Sequence, residues 1–116
     1  MPIPSFELRV VRNGRATHIT PYGELDIATT PELEQAFTDA AADGVAEIVL
    51  DLRRLTFMDS TGLRALAQAN TRADAIGQAL SIIRGPSQID RVLEISGLRA
   101  LLPLVDAPPD QSPVPD

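Results

Sequence analysis

The chain has 116 residues, 44% of them hydrophobic and 22% charged, values that fit one globular domain around a single core. Its net charge of −6, with no basic cluster larger than Arg53-Arg54, argues against a nucleic-acid partner. The absence of cysteine excludes a disulfide framework and any thiolate ligand or nucleophile.

Met1-Pro2-Ile3-Pro4-Ser5 has neither the basic nor the apolar region of a signal peptide, and no apolar run approaches the ~20 residues of a membrane span. The expectation is a soluble, cytoplasmic protein without a membrane partner. Phe6, Leu8 and Val10 then alternate with Glu7 and Arg9, which predicts a half-buried strand. Asn13-Gly14 is a hairpin signal, because both residue types tolerate positive φ, and a second strand follows from about Arg15 to Tyr22. His18, the one histidine, has no Ser or Cys near it in sequence and reads as a surface strand residue rather than a catalytic base.

Gly23-Glu24-Leu25-Asp26 forms a turn leading to Thr29-Thr30-Pro31-Glu32, where a helix starts in one of two ways. Either Thr30 caps it with Pro31 at the first helical position, or Thr29 and Glu32 make a capping box. Leu33, Ala36, Phe37, Ala40 and Ala41 give that helix one apolar face, and Gly44 ends it. Ile48-Val49-Leu50-Asp51-Leu52 is a nearly unbroken apolar run, the pattern of a central strand. Leu55, Phe57 and Met58 return the chain to the protein body. Asp59-Ser60-Thr61-Gly62 opens a second helix that carries Leu63, Leu66 and Ala67 inward and stops near Ile76 at Gly77, with Asn70 as a misfit in its apolar stripe.

Ala79–Ile83 reads as another buried strand, and Gly85-Pro86-Ser87 starts a third helix with Ile89, Val92 and Leu93 inward. Gly97 terminates it, and Leu98 can fold back on Leu93. Leu101–Val105 is a short last strand that Pro103 assigns to an edge. From Asp106 the composition turns proline-rich, so residues 106–116 are expected to form an extended, flexible tail.

The resulting order is β-β-α-β-α-β-α-β. Right-handed crossovers make the second and third strands parallel, so the loop at Gly23–Asp26 and the loop at Asp59–Gly62 share one edge of the sheet with Ser60 between them. The first turn of a helix offers unpaired N–H groups and the positive dipole end, where a phosphate on Ser60 could be held. Alternatively, Asp59 or Ser60 serves only as an N-cap. Asp26, Asp59 and Asp51 carry the same ambiguity: carboxylates that orient the serine for a kinase, or acids placed for turns and capping.

Asp51-Leu52 and the segment Phe57-Met58-Asp59-Ser60-Thr61-Gly62-Leu63 resemble the STAS family, specifically the bacterial anti-sigma factor antagonists. Gly23-Glu24-Leu25-Asp26 and Ser96-Gly97-Leu98 extend the likeness over about residues 6–105, leaving the tail outside. The resemblance implies a STAS fold: α/β, with a mixed four- to five-stranded sheet and about three to four helices packed mainly on one face. It implies a STAS domain over residues 1–105 followed by the tail at 106–116. It implies a switch, in which the unphosphorylated protein binds an anti-sigma factor that is also a serine kinase and so releases the sigma factor. The kinase would bring its own ATP and magnesium and phosphorylate Ser60, and a protein phosphatase would reset the switch. Glu24, Asp26, Asp59, Ser60, Thr61 and Gly62 would form the partner-binding surface. The protein would be a substrate rather than an enzyme, with no cofactor or metal of its own. The alternative is a STAS accessory module in a stressosome-like or lipid-transport assembly, with Ser60 unmodified. A serine hydrolase is disfavoured, because the Gly-x-Ser-x-Gly elbow is missing.

Overall fold

Residues 6–107 are described by the computed structural model. The expectations for Met1–Ser5 and for the tail beyond Ala107 lie outside these residues. Strands β1 (Phe6–Asn13) and β2 (Ala16–Leu25) form an antiparallel hairpin in the register Asn13↔Ala16 to Phe6↔Gly23. Gly14, at φ 63°, supplies the one left-handed residue of the turn, which is formed by Gly14 and Arg15 rather than by Asn13 and Gly14. Helix α1 (Thr30–Ala42) returns the chain to β3 (Glu47–Asp51), which pairs parallel with β2.

Strand β2 outruns β3. It pairs with β3 only from Ala16 to Ile19, which leaves its carboxyl half without that neighbour. A tight turn, closed by Leu55 N–H donating to the Leu52 carbonyl at 3.1 Å, brings β4 (Leu55–Met58) up to fill the vacant half. Strand β4 pairs parallel with β2 at Gly23↔Leu55, Glu24↔Phe57 and Leu25↔Met58, with an irregularity at Gly23/Glu24. Sequence patterning places these residues against the body but misses their pairing, because four residues are too few to show a period of two.

Helix α2 (Ser60–Ile76) leads to β5 (Ala79–Ile83), and α3 (Ser87–Ser96) with a 3₁₀ turn at Leu98–Ala100 leads to β6 (Leu104–Val105). The sheet therefore has six strands, in the order β1-β2-β3-β5-β6 with β4 on β2, one more than the four to five expected. The additional strand is β4. The last strand is shorter than the expected Leu101–Val105, since the N–H groups of Leu101 and Leu102 donate back to the Leu98 carbonyl at 2.9 and 3.0 Å and Pro103 contributes only its carbonyl, which accepts from Ile82 N–H at 2.9 Å. It is an edge strand, as Pro103 suggested.

One face of the sheet, carrying Ile19, Ile48, Leu50 and Ile82, packs on Leu33 and Phe37 of α1, Leu63 and Leu66 of α2, and Ile89 and Leu93 of α3 in a single aliphatic cluster. Asn70, the misfit in the α2 stripe, donates from Nδ2 to the Leu101 carbonyl at 3.4 Å and so ties that helix to the segment before β6. Gly44, Gly77 and Gly97 stop the three helices with positive φ, as the sequence suggests.

Candidate functional site

The site forms where β2 and β4 end together. Because Leu25 pairs with Met58, Asp26 and Asp59 are the next residues on adjacent parallel strands, and Asp59 N–H donates to the Leu25 carbonyl at 3.2 Å. Two loops that are 33 positions apart in the chain are thereby fixed side by side.

Asp59 is the N-cap of α2. Its Oδ1 accepts from the backbone N–H of Thr61 at 2.9 Å and of Gly62 at 3.3 Å, satisfying two of the donors that a helix start leaves open. Ser60 is the first helical residue, and its exposed hydroxyl makes no hydrogen bond among the described residues. The capping role thus falls to Asp59 and leaves the serine free. Replacing Asp59 by Ala is expected to lower stability by ~1 kcal/mol, read as a shift of the denaturation midpoint with an unchanged slope. An unchanged midpoint would mean that the cap contributes nothing.

Asp26 organises the neighbouring loop. Its Oδ1 accepts from Ala28 N–H at 2.9 Å and Thr29 N–H at 3.1 Å, an Asx turn. Thr29 Oγ1 accepts from Asp26 N–H at 2.9 Å and donates to the Glu24 carbonyl at 2.8 Å. The hydroxyl therefore faces back into the loop, so neither expected start of α1 occurs. Thr29 holds the N-cap position without a side-chain cap bond, and Pro31 lies second in the helix behind Thr30.

Glu24 is exposed on β2, opposite Phe57. Thr61 is half-buried, whereas Gly62 is buried and meets a partner only indirectly. A Cβ on Gly62 would lie 2.8 Å from Met58 Cγ and 2.9 Å from Leu25 Cδ2, so the bare backbone lets α2 start directly on the strand ends. Asp51 does not join the cluster. Its Oδ2 pairs with Arg53 Nη2 at 2.8 Å, and its Oδ1 accepts from Arg53 Nε at 3.0 Å. That hydrogen bond raises the Arg53 pKa above the ordinary arginine value, outweighing a lowering by burial.

Two residues outside the expected partner-binding set belong to the same edge. Ile27, 78% exposed, follows Asp26, and Phe57, 46% exposed, pairs with Glu24. Sequence patterning takes Phe57 as inward-facing with its neighbours. In the structure, Leu55 and Met58 are buried and the two residues between them face solvent. Ile27 carried a readable signal, as a large apolar residue in a polar loop that belongs to no strand or helix stripe. Among the described residues no group of acids and histidine is placed to hold a metal ion, and no helix is long and apolar enough to cross a membrane.

Fold and site define a small α/β module that presents a helix-terminal serine at the carboxyl edge of its sheet, where the ends of β2 and β4 bring the Asp26 and Asp59 loops together. The family model described as "Mlab, STAS domain" matches residues 8–105, and the chain belongs to the STAS domain family. It is 36% identical over 80 residues to an anti-sigma-B factor antagonist of Staphylococcus aureus, covering 69% of this chain and 74% of that protein. The crystal structure of an anti-sigma factor antagonist from Mycobacterium paratuberculosis superposes with a TM-score of 0.79 at 26% identity, covering 89% of this chain and 87% of that one. The phosphorylated form of the Bacillus cell fate determinant SpoIIAA shares the fold, with a TM-score of 0.69 at 23% identity over 90% of this chain and 93% of that chain.

Proposed function

We propose that this protein is an anti-sigma factor antagonist whose unphosphorylated form binds an anti-sigma factor with serine-kinase activity in the cytoplasm, and that phosphorylation of Ser60 ends the binding. The observation that carries this reading is the free, exposed Ser60 hydroxyl at the start of α2. A kinase can reach it without unfolding the helix, and the carboxylate that caps the helix does not consume it. Kinship to named antagonists and the phosphorylated form of SpoIIAA support the same reading.

The chemistry follows from charge and desolvation. In the unmodified state Ile27 and Phe57 give a partner apolar surface to bury, while Glu24, Asp26, Asp59 and Thr61 fix its register. A phosphate adds about −1.5 to −2 charges beside those acids, and a close-packed partner must desolvate all of them together. A separate phosphatase removes the phosphate and restores binding. This chain contributes the acceptor hydroxyl, and the kinase supplies the nucleotide chemistry.

The direct test is to immobilise the wild-type protein and Ser60→Asp, pass native lysate over both, and map phosphate on the wild type after adding ATP. The expected result is an ATP-binding kinase retained by the wild type alone, with phosphate on Ser60. Retention of the same transporter or scaffold proteins by both baits, with no phosphate, would replace the switch by an accessory role. Phosphate found on Thr61 would move the acceptor by one residue.

Phe57→Ala and Ile27→Ser are expected to weaken partner binding by about 1–3 kcal/mol each, while the melting temperature stays close to wild type because both side chains are exposed. Titration calorimetry against the purified kinase checks this. Unchanged affinity in both variants would remove the apolar pair from the interface.

A further inference from the structure

The exposed line of α2 begins at Ser60, and Arg64, Gln68 and Thr71 continue it. Four residues turn a helix through about 400°, so positions 60 and 64 lie roughly 40° apart round the axis and about 6 Å apart along it. Helical side chains lean towards the N-terminus, which directs a long side chain at position 64 back over position 60. Arg64 is the first cation of α2. Among the described residues its side chain has no ion pair or hydrogen bond, and it borders a shallow groove with Ala67, Gln68 and Thr71. Other arginines are engaged: Arg53 with Asp51, Arg54 over the Tyr22 ring at 5.8 Å, and Arg72 with the Thr38 hydroxyl at 3.2 Å.

A phosphate at Ser60 meets unfavourable charge. Asp59 is the chain neighbour of Ser60, and Asp26 follows Leu25, the strand residue that pairs with Met58. Like charges hold protons back, so both carboxylates push a phosphate towards its singly charged form. The second proton of phosphoserine ordinarily leaves at a pKa of about 6, and an upward push of roughly one unit leaves about half of the groups singly charged at pH 7. The switch is then weakened. A cation in reach offsets the push, and α2 carries one at the right spacing. On the reading that Ser60 accepts a phosphate, we propose that Arg64 binds it: the guanidinium turns back by one helical turn, pairs with two phosphate oxygens, and keeps the phosphate doubly charged near neutral pH. Residues at this spacing are neighbours on a helix surface, so the pair forms without moving a strand or loop. The planar fork of donors matches phosphate oxygens, and arginine keeps its charge throughout the pH range in which the phosphate titrates.

The test uses the full chain with phosphoserine installed at position 60 during synthesis. No kinase is needed, so the outcome is independent of whether a cellular kinase uses Ser60. The second ionisation of the phosphate is followed by phosphorus NMR as pH is raised. Removing the cation favours the singly charged phosphate, so Arg64→Ala is expected to raise the midpoint by about 0.5 pH unit, and Arg64→Lys by less, because an ammonium keeps the charge without the fork. Arg64 is exposed and alanine is a strong helix former, so the Ala variant stays folded. Arg72→Ala, three turns further along α2, is expected to leave the midpoint in place. In the isotope-labelled protein, the Arg64 Nε–H signal should shift and exchange more slowly with water when Ser60 carries the phosphate than when it does not. Equal midpoints for the wild type and Arg64→Ala, or an unmoved Nε–H signal, would overturn the pair. So would an equal shift in Arg72→Ala, which would assign the effect to net charge.

Discussion

Ser60→Asp is expected to reduce affinity for the anti-sigma partner by about a hundredfold or more while leaving the melting temperature near wild type. The two halves of this result have different origins. In the free protein Ser60 is exposed at the positive end of α2, where a carboxylate gains ~0.3–1 kcal/mol from the helix dipole. Asp59 already occupies the capping position, and its repulsion of a second exposed acid is of similar size, so the net change stays within ~0.5 kcal/mol. In the complex the balance differs. Behind a packed partner the effective dielectric falls towards about 20, where two like charges ~5 Å apart oppose each other by ~3 kcal/mol. Calorimetric titration and thermal denaturation on the same samples separate the effects. Full affinity in Ser60→Asp would refute charge switching at this position, and a cooperative loss of fold would show that any binding defect was only instability. Ser60→Ala provides the converse, binding the partner in the presence of ATP and phosphatase inhibitor when the wild type no longer does.

The sequence makes the larger part of this arrangement legible because its signals are local. The apolar run at Ile48–Leu52, the stripe from Leu33 to Ala40 and the glycines at 44, 77 and 97 each specify an element through its own residues. The handedness of crossovers then brings the Asp26 and Asp59 loops to one edge without any long-range information. What could not be read depends on neighbours. Strand β4 exists because β2 is longer than β3, a mismatch visible only once the two are paired. The start of α1 differs because the Asp26 and Glu24 backbone outcompetes the helix for the Thr29 hydroxyl, a contest between partners that pattern weighs equally. At the site, the choice between Asp59 and Ser60 as cap was open in sequence. The structure's answer, that Asp59 caps, is what leaves the serine available.

Gly62→Val is expected to cause the largest loss of stability among single changes at this edge, ~3 kcal/mol, and to impair the site along with the fold. Gly62 lies in α2 with φ outside the left-handed region, so its reason is space rather than backbone freedom. A Cβ there meets Met58 Cγ at 2.8 Å and Leu25 Cδ2 at 2.9 Å, and both of those side chains are buried, at 2% and 0% exposure. Neither can move aside without disturbing the paired ends of β2 and β4, so the first turn of α2 must lift. That lift breaks the Asp59 bonds to Thr61 and Gly62 N–H and displaces Ser60 relative to Asp26. Gly62→Ala should follow the same path with a smaller loss of ~1–2 kcal/mol, remaining folded at 25 °C so that phosphorylation can be measured on the native protein. The expected pattern is a lowered denaturation midpoint together with slower phosphate transfer to Ser60. A folded Gly62→Ala phosphorylated at the wild-type rate would show that the kinase does not depend on the position of the first helical turn, and that Gly62 serves the packing alone.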